Sequence, residues 1–100
     1  ADVMGTCTMF SPELLDKIGY LYQPGLYGFD DVLMCVRSEV SGFYNCFLPQ
    51  IDIDHIDPGG TNYQTWKEQQ ARHDSPEYHR LKAGYQSGEI SVYYNADGTQ

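Results

Sequence analysis

A turn that hands two adjacent carboxylates to a helix constrains this chain more than any other stretch. Gly25-Leu26-Tyr27-Gly28-Phe29-Asp30-Asp31 runs directly into Val32-Leu33-Met34-Cys35-Val36-Arg37. The glycines and aromatics read as a loop, and Asp30 and Asp31 fall in the first turn of the helix that follows. Acidic groups there face free backbone N–H groups and the positive end of the helix dipole. That setting keeps a carboxylate ionised near neutral pH and holds it in place, as a general base requires. The same position suits simple helix capping equally well. On this stretch alone both readings stay open.

One hundred residues suffice for one small domain with a modest core. Fourteen acidic against six basic residues give a formal charge of −8. That balance argues against general binding of nucleic acid or anionic membranes, both of which need Lys and Arg. It suits metal cations and neutral ligands such as sugars. Nine of the fourteen aromatic residues are Tyr, a side chain useful for sugar contacts and equally at home in half-buried packing. Cys7, Cys35 and Cys46 are widely spaced and form no zinc or C-x-x-C pattern. Each sits among apolar residues, so they read as buried free thiols in a reducing, cytoplasmic compartment. No apolar run approaches the ~18–20 residues of a membrane span, and no signal-peptide pattern is present. The chain opens without Met, inside an apparent strand, which points to a piece of something longer.

Along the chain, Val3 to Phe10 reads as a buried strand. Ser11-Pro12-Glu13 then starts a short helix, with Ser as N-cap and Pro at the first helical position. Leu14, Leu15 and Ile18 form its buried stripe, and Gly19 stops it. Tyr20 to Phe29 is loop. The helix from Asp30 continues to about Ser41, with Val32, Leu33, Val36 and Val40 on its core face. Phe43 to Leu48 reads as a strand, and Ile51 to Ile56 alternates as a second one. After Asp57 a Pro58-Gly59-Gly60 connector leads to a polar helix, Tyr63 to Arg72, anchored by Trp66. His73-Asp74 breaks it, and Ser75-Pro76-Glu77 starts another that carries Tyr78, Leu81 and Tyr85 on one face. Ile90 to Tyr94 is β-like. The pattern is α/β in character, and the last forty residues should drape over the core rather than build one.

A second cluster, Asp52-Ile53-Asp54-His55-Ile56-Asp57, brings carboxylates and an imidazole close together. Such groups suit Mn²⁺ or Mg²⁺. On a strand Asp52 and Asp54 share one face and His55 the other, so a single cage of all of them is unfavourable. His55 combined with groups from elsewhere is easier, and a purely structural His55 is the competing reading. His73 and His79 read as exposed surface. No Ser or Cys nucleophile arrangement is present. Pro58-Gly59-Gly60 follows carboxylates that would repel phosphate, unless a metal at His55 let it lie over a diphosphate as a lid.

The ordered set Gly5 to Phe10, Ser11 to Gly19, Tyr27-Gly28-Phe29-Asp30-Asp31, Arg37, Gly42 and Ile53-Asp54-His55 resembles the C-terminal half of a family-2-type glycosyltransferase of the GT-A fold. The match covers roughly residues 3 to 56. The resemblance implies residues 1–57 as the acceptor-side part of a GT-A-like α/β sheet with flanking helices, and 58–100 as a lid and helical extension. It implies Asp31 as the base that deprotonates the acceptor hydroxyl in an inverting transfer. Asp30, in a Tyr27-Gly28 motif, would contact the acceptor, and His55 would hold Mn²⁺ or Mg²⁺ on the nucleotide-diphosphate sugar donor. Arg37 would support the helix. The family's N-terminal nucleotide-binding half, with its Asp-x-Asp metal motif, lies outside these residues, so activity of this chain alone is not expected. Asp52-Ile53-Asp54 comes after the base motif, Leu33 stands where many relatives carry another acid, and the tail after Gly60 has no counterpart. Two other readings accompany this one: a non-catalytic relative that binds a sugar or nucleotide-sugar, and a small acidic interaction domain.

Overall fold

The computed structural model describes residues 7–50, 52 and 60–100. Three helices account for its regular structure: α1 (Pro12–Ile18), α2 (Asp30–Val40) and α3 (Thr61–Ser87). The start of α1 follows its sequence. Ser11 Oγ accepts from Leu14 N–H at 3.2 Å, Pro12 fills the first turn, and Gly19 N–H closes the end on the Leu15 carbonyl at 2.8 Å. Gly19 is required twice over. Its φ is +71°, and a Cβ there would collide with the Tyr94 carbonyl oxygen.

No sheet forms among the described residues, which corrects the expected α/β, GT-A-like sheet. One isolated parallel bridge joins Gly19 to Tyr94. Tyr20 N–H donates to Tyr94 O at 2.9 Å, and Tyr94 N–H donates to Ile18 O at 3.0 Å. Residues 90–94 therefore tie the end of α1 to the chain's end without becoming a strand. Residues 43–48 are not a strand either. They are held against α2 through Phe43 N–H on Ser38 O (3.1 Å) and Asn45 Nδ2 on Cys35 O (3.1 Å). Residues 7–10 are also irregular. The remainder of the expected strands at 3–10 and 51–56 lies outside the described residues, apart from Asp52, which is exposed and irregular.

Where a helix break was expected at His73-Asp74, α3 runs continuously for 27 residues with Pro76 inside it. Proline supplies no N–H, so the carbonyl four residues back, on Arg72, loses its helical partner. Packing holds the helix through this fault. Asp74, Leu81, Gly84 and Tyr85 are buried along one stripe, and Tyr78 stacks on Phe29 at 4.7 Å.

Two small cores result. Leu33, Val36, Leu81, Tyr85 and Tyr94 form one, flanked by Tyr22, Phe29, Tyr78, Ile90 and Val92. Leu14, Ile18 and Met34 form the other, beside Phe10, Phe43 and Val92. Residues after 80 thus supply three of the five side chains of the first core, instead of merely draping over it. Of the expected core residues, Leu15 and Val40 are exposed, while Met34, Cys35, Arg37 and Ser38 are buried on α2. Cys35 is buried outside any disulfide, as expected, whereas Cys7 and Cys46, also expected to be buried, are exposed.

Candidate functional site

The loop from Tyr20 to Phe29 has no regular hydrogen-bond ladder, yet side chains fasten it along its length. The Tyr20 carbonyl accepts from Arg37 Nη2 at 2.9 Å. Tyr22 stacks on Tyr94 with centroids 4.3 Å apart and planes 12° off parallel. Gln23, with its amide turned so that both groups are satisfied, accepts from the N–H groups of Tyr27 (3.1 Å) and Gly28 (3.2 Å). Gly25 lies so close to the Asp74 carboxylate that a Cβ would overlap it. Tyr27 meets Tyr63 and Trp66 edge to face at 6.2 and 5.6 Å. Phe29 stacks on Tyr78.

That fastening decides where the acidic pair stands. Gly28 (φ +83°) and Phe29 (φ +65°) both turn left-handed, and Phe29 occupies the N-cap position of α2 without a side-chain cap. A left-handed phenylalanine is strained. Its ring stacking on Tyr78 and its carbonyl, which takes Leu33 N–H at 3.0 Å, hold it there. Asp30 is exposed and Asp31 half-buried in the first turn. Asp31 Oδ1 accepts from Val32 N–H at 2.8 Å. The carboxylate is thus placed in the first turn of the helix, against one of its free N–H groups. Asp30 and Asp31 thus lie inside the first turn, and neither is the N-cap residue, a place Phe29 takes.

Arg37, on α2, joins three segments of the chain. It is 1% exposed. Nε donates to Val92 O at 2.9 Å, and Nη2 to Ile18 O at 2.6 Å as well as to Tyr20 O. Its guanidinium lies 4.8 Å from the centre of the Tyr94 ring. Burial pushes its pKa down from the ordinary arginine value, while the neighbouring Tyr85 and Tyr94 act in the opposite direction.

The structure brings Tyr27, Gly28, Asp30 and Asp31 together at one end of α2. His55 lies outside the described residues. Among those described, no three His, Cys, Asp or Glu side chains converge to hold a metal ion. A divalent ion would therefore depend on His55 and on groups beyond them. His73 and His79 are exposed as expected, with His73 Nδ1 2.9 Å from Asp74 Oδ1.

Comparisons with protein-family models, curated proteins and solved structures give no match. The site must be judged on its own geometry.

Two open grooves flank the loop. Phe10, Leu15, Gly19, Tyr20 and Tyr93 line one; Pro24, Leu26, Gln70, His73 and Asp74 line the other. Neither is lined by Asp30 or Asp31. Sequence reasoning missed Gln23, Asp74, Tyr63 and Lys67 as partners of this loop. A helical stripe could have found some of them: Tyr63, Lys67, Gln70, Asp74 and Tyr78 follow one another at intervals of three and four.

Proposed function

We propose that this chain supplies the acceptor side of a glycosyltransferase that moves a sugar from a nucleotide-diphosphate donor to a hydroxyl. A nucleotide-binding half beyond these residues would complete it in the cytoplasm. The observation that carries the reading is the half-buried Asp31 at the start of α2, which follows a loop held in shape by side-chain contacts along its length. In the reaction the acceptor O–H gives its proton to Asp31 as its oxygen bonds to the anomeric carbon. The bond from that carbon to the nucleotide diphosphate breaks, and the diphosphate leaves with the electron pair. A single displacement of this kind inverts the anomeric centre. Asp30, exposed beside Asp31, accepts a second acceptor hydroxyl, and Tyr27 packs next to it. His55 would take part in holding Mn²⁺ or Mg²⁺ on the donor; no step is derived through that ion.

A transfer assay on the complete polypeptide tests this, using a panel of nucleotide-diphosphate sugars and hydroxyl acceptors. Transfer to at least one acceptor is expected, with Asp30→Asn raising the acceptor KM about tenfold at little cost in kcat, the pattern of a lost ground-state contact. Failure of every donor to be transferred or hydrolysed, by protein shown to be folded, would contradict the proposal.

A further inference from the structure

The first turns of α3 carry Tyr63, Trp66 and Lys67 at positions i, i+3 and i+4, on one stripe of the helix. That stripe meets Tyr27 from the loop, three residues before Asp30. The three rings form a closed triangle, since Tyr63 and Trp66 are also 6.1 Å apart. Lys67 Nζ stands 5.3 Å from the Tyr27 ring centre and 4.9 Å from that of Tyr63, so one ammonium holds both phenols. Among the described residues the cluster stays partly open. Trp66 keeps 38% of its surface exposed and Tyr63 42%.

We propose that this triangle is a carbohydrate-stacking platform for a β-linked gluco- or galacto-configured pyranose of a glycan acceptor. For its ligand class the proposal rests on the acceptor-side reading above. A pyranose of that configuration presents a face of C–H bonds with slight positive charge, which complements the negative face of an aromatic ring. Its hydroxyls lie at the ring's rim, free for polar contacts around the platform. The charge pattern disfavours a phosphate or an anionic lipid. The cluster's single lysine is shared by two rings, two carboxylates follow within four residues of Tyr27, and the whole chain is at −8.

Trp66 is the only tryptophan of the chain, so its emission reports on the platform directly. Titrating the 100-residue chain with lactose and with cellotriose, against glycerol as control, should give a saturable emission change with a Kd of about 1–10 mM, the range of a few weak contacts. Tyr63→Ala and Tyr27→Ala should weaken it at least tenfold, with circular dichroism confirming the helices, and Tyr63→Phe should retain it. Saccharide binding by the chain, where the complete polypeptide transfers no sugar, upholds the platform and sinks the catalytic reading. If the alanine variants unfold, saturation-transfer NMR on the native chain decides, with magnetisation reaching the pyranose C–H protons from the aromatic rings. A folded chain that gives no saturable response and no transfer to either saccharide would overturn the proposal, as would an undiminished response in folded Tyr63→Ala.

Discussion

Arg37 follows Asp31 by six residues and is as buried as the core leucines, although its charge would place it at the surface. Three backbone carbonyls, on Ile18, Tyr20 and Val92, depend on it. Arg37→Met keeps much of the volume but strands the Tyr20 and Val92 carbonyls, leaving Ile18 O with Tyr94 N–H alone, and should destabilise the chain by about 3 kcal/mol in urea denaturation. A loss below about 1 kcal/mol would mean the three segments hold together without it. Tyr85 makes a second, pH-dependent claim. Its hydroxyl pairs with that of Tyr94 at 2.6 Å, and burial first, then this bond, raises its pKa above the ordinary 10.0. The folded state therefore keeps a proton that the unfolded chain gives up. The associated stability is full below about pH 10 and falls as the pH rises beyond it. Tyr85→Phe should cost about 1 kcal/mol at pH 7 and flatten the decline above pH 10, as read from denaturation midpoints across the pH range. At this scale the sequence was partly legible. Leu33, Val36, Leu81 and Tyr85 were readable from helical spacing. Arg37 and Asp74 were not, because their burial depends on partners distant in the chain.

At the scale of elements, the helix start at Ser11-Pro12-Glu13 was legible because capping is local chemistry, and that at Asp30-Asp31 because acidic residues favour a first turn. The strands were misread for the opposite reason. Apolar alternation and β-branched residues report a half-buried, extended segment, whereas a strand also needs a neighbour to pair with. Residues 90–94 find only the single bridge to Gly19, and Arg37 takes the carbonyl of Val92. Ser75-Pro76-Glu77 carries the same start signature as Ser11-Pro12-Glu13, yet here it lies inside α3, because the buried stripe from Asp74 to Tyr85 outweighs one lost hydrogen bond. This makes Pro76 a source of instability rather than a cap. Pro76→Ala should restore the N–H to the Arg72 carbonyl and raise stability by about 1–3 kcal/mol, measured by thermal unfolding. A neutral or destabilising result would show that Pro76 begins a separate helix.

For the whole molecule, the described residues form a helical assembly in which α2 lies against both α1 and α3 and the loop from 20 to 29 is clamped at their edge. No helix in them is long and apolar enough to cross a membrane. The expected sheet is absent among the described residues, but the placement of the acidic pair does not depend on it. Gly28 and Phe29 set the turn, α2 fixes Asp31, and α3 supplies the aromatic and carboxylate contacts that hold the loop. The candidate site was thus legible as a motif and invisible as an assembly, since its α3 half lies more than thirty residues downstream. The account stands or falls on Asp31. Sugar transfer by the complete polypeptide, compared between the native chain and Asp31→Asn at saturating donor and acceptor, measures its role directly. Loss of the base should lower kcat about 10²- to 10⁴-fold with folding intact; transfer that proceeds at the native rate in Asp31→Asn would contradict it.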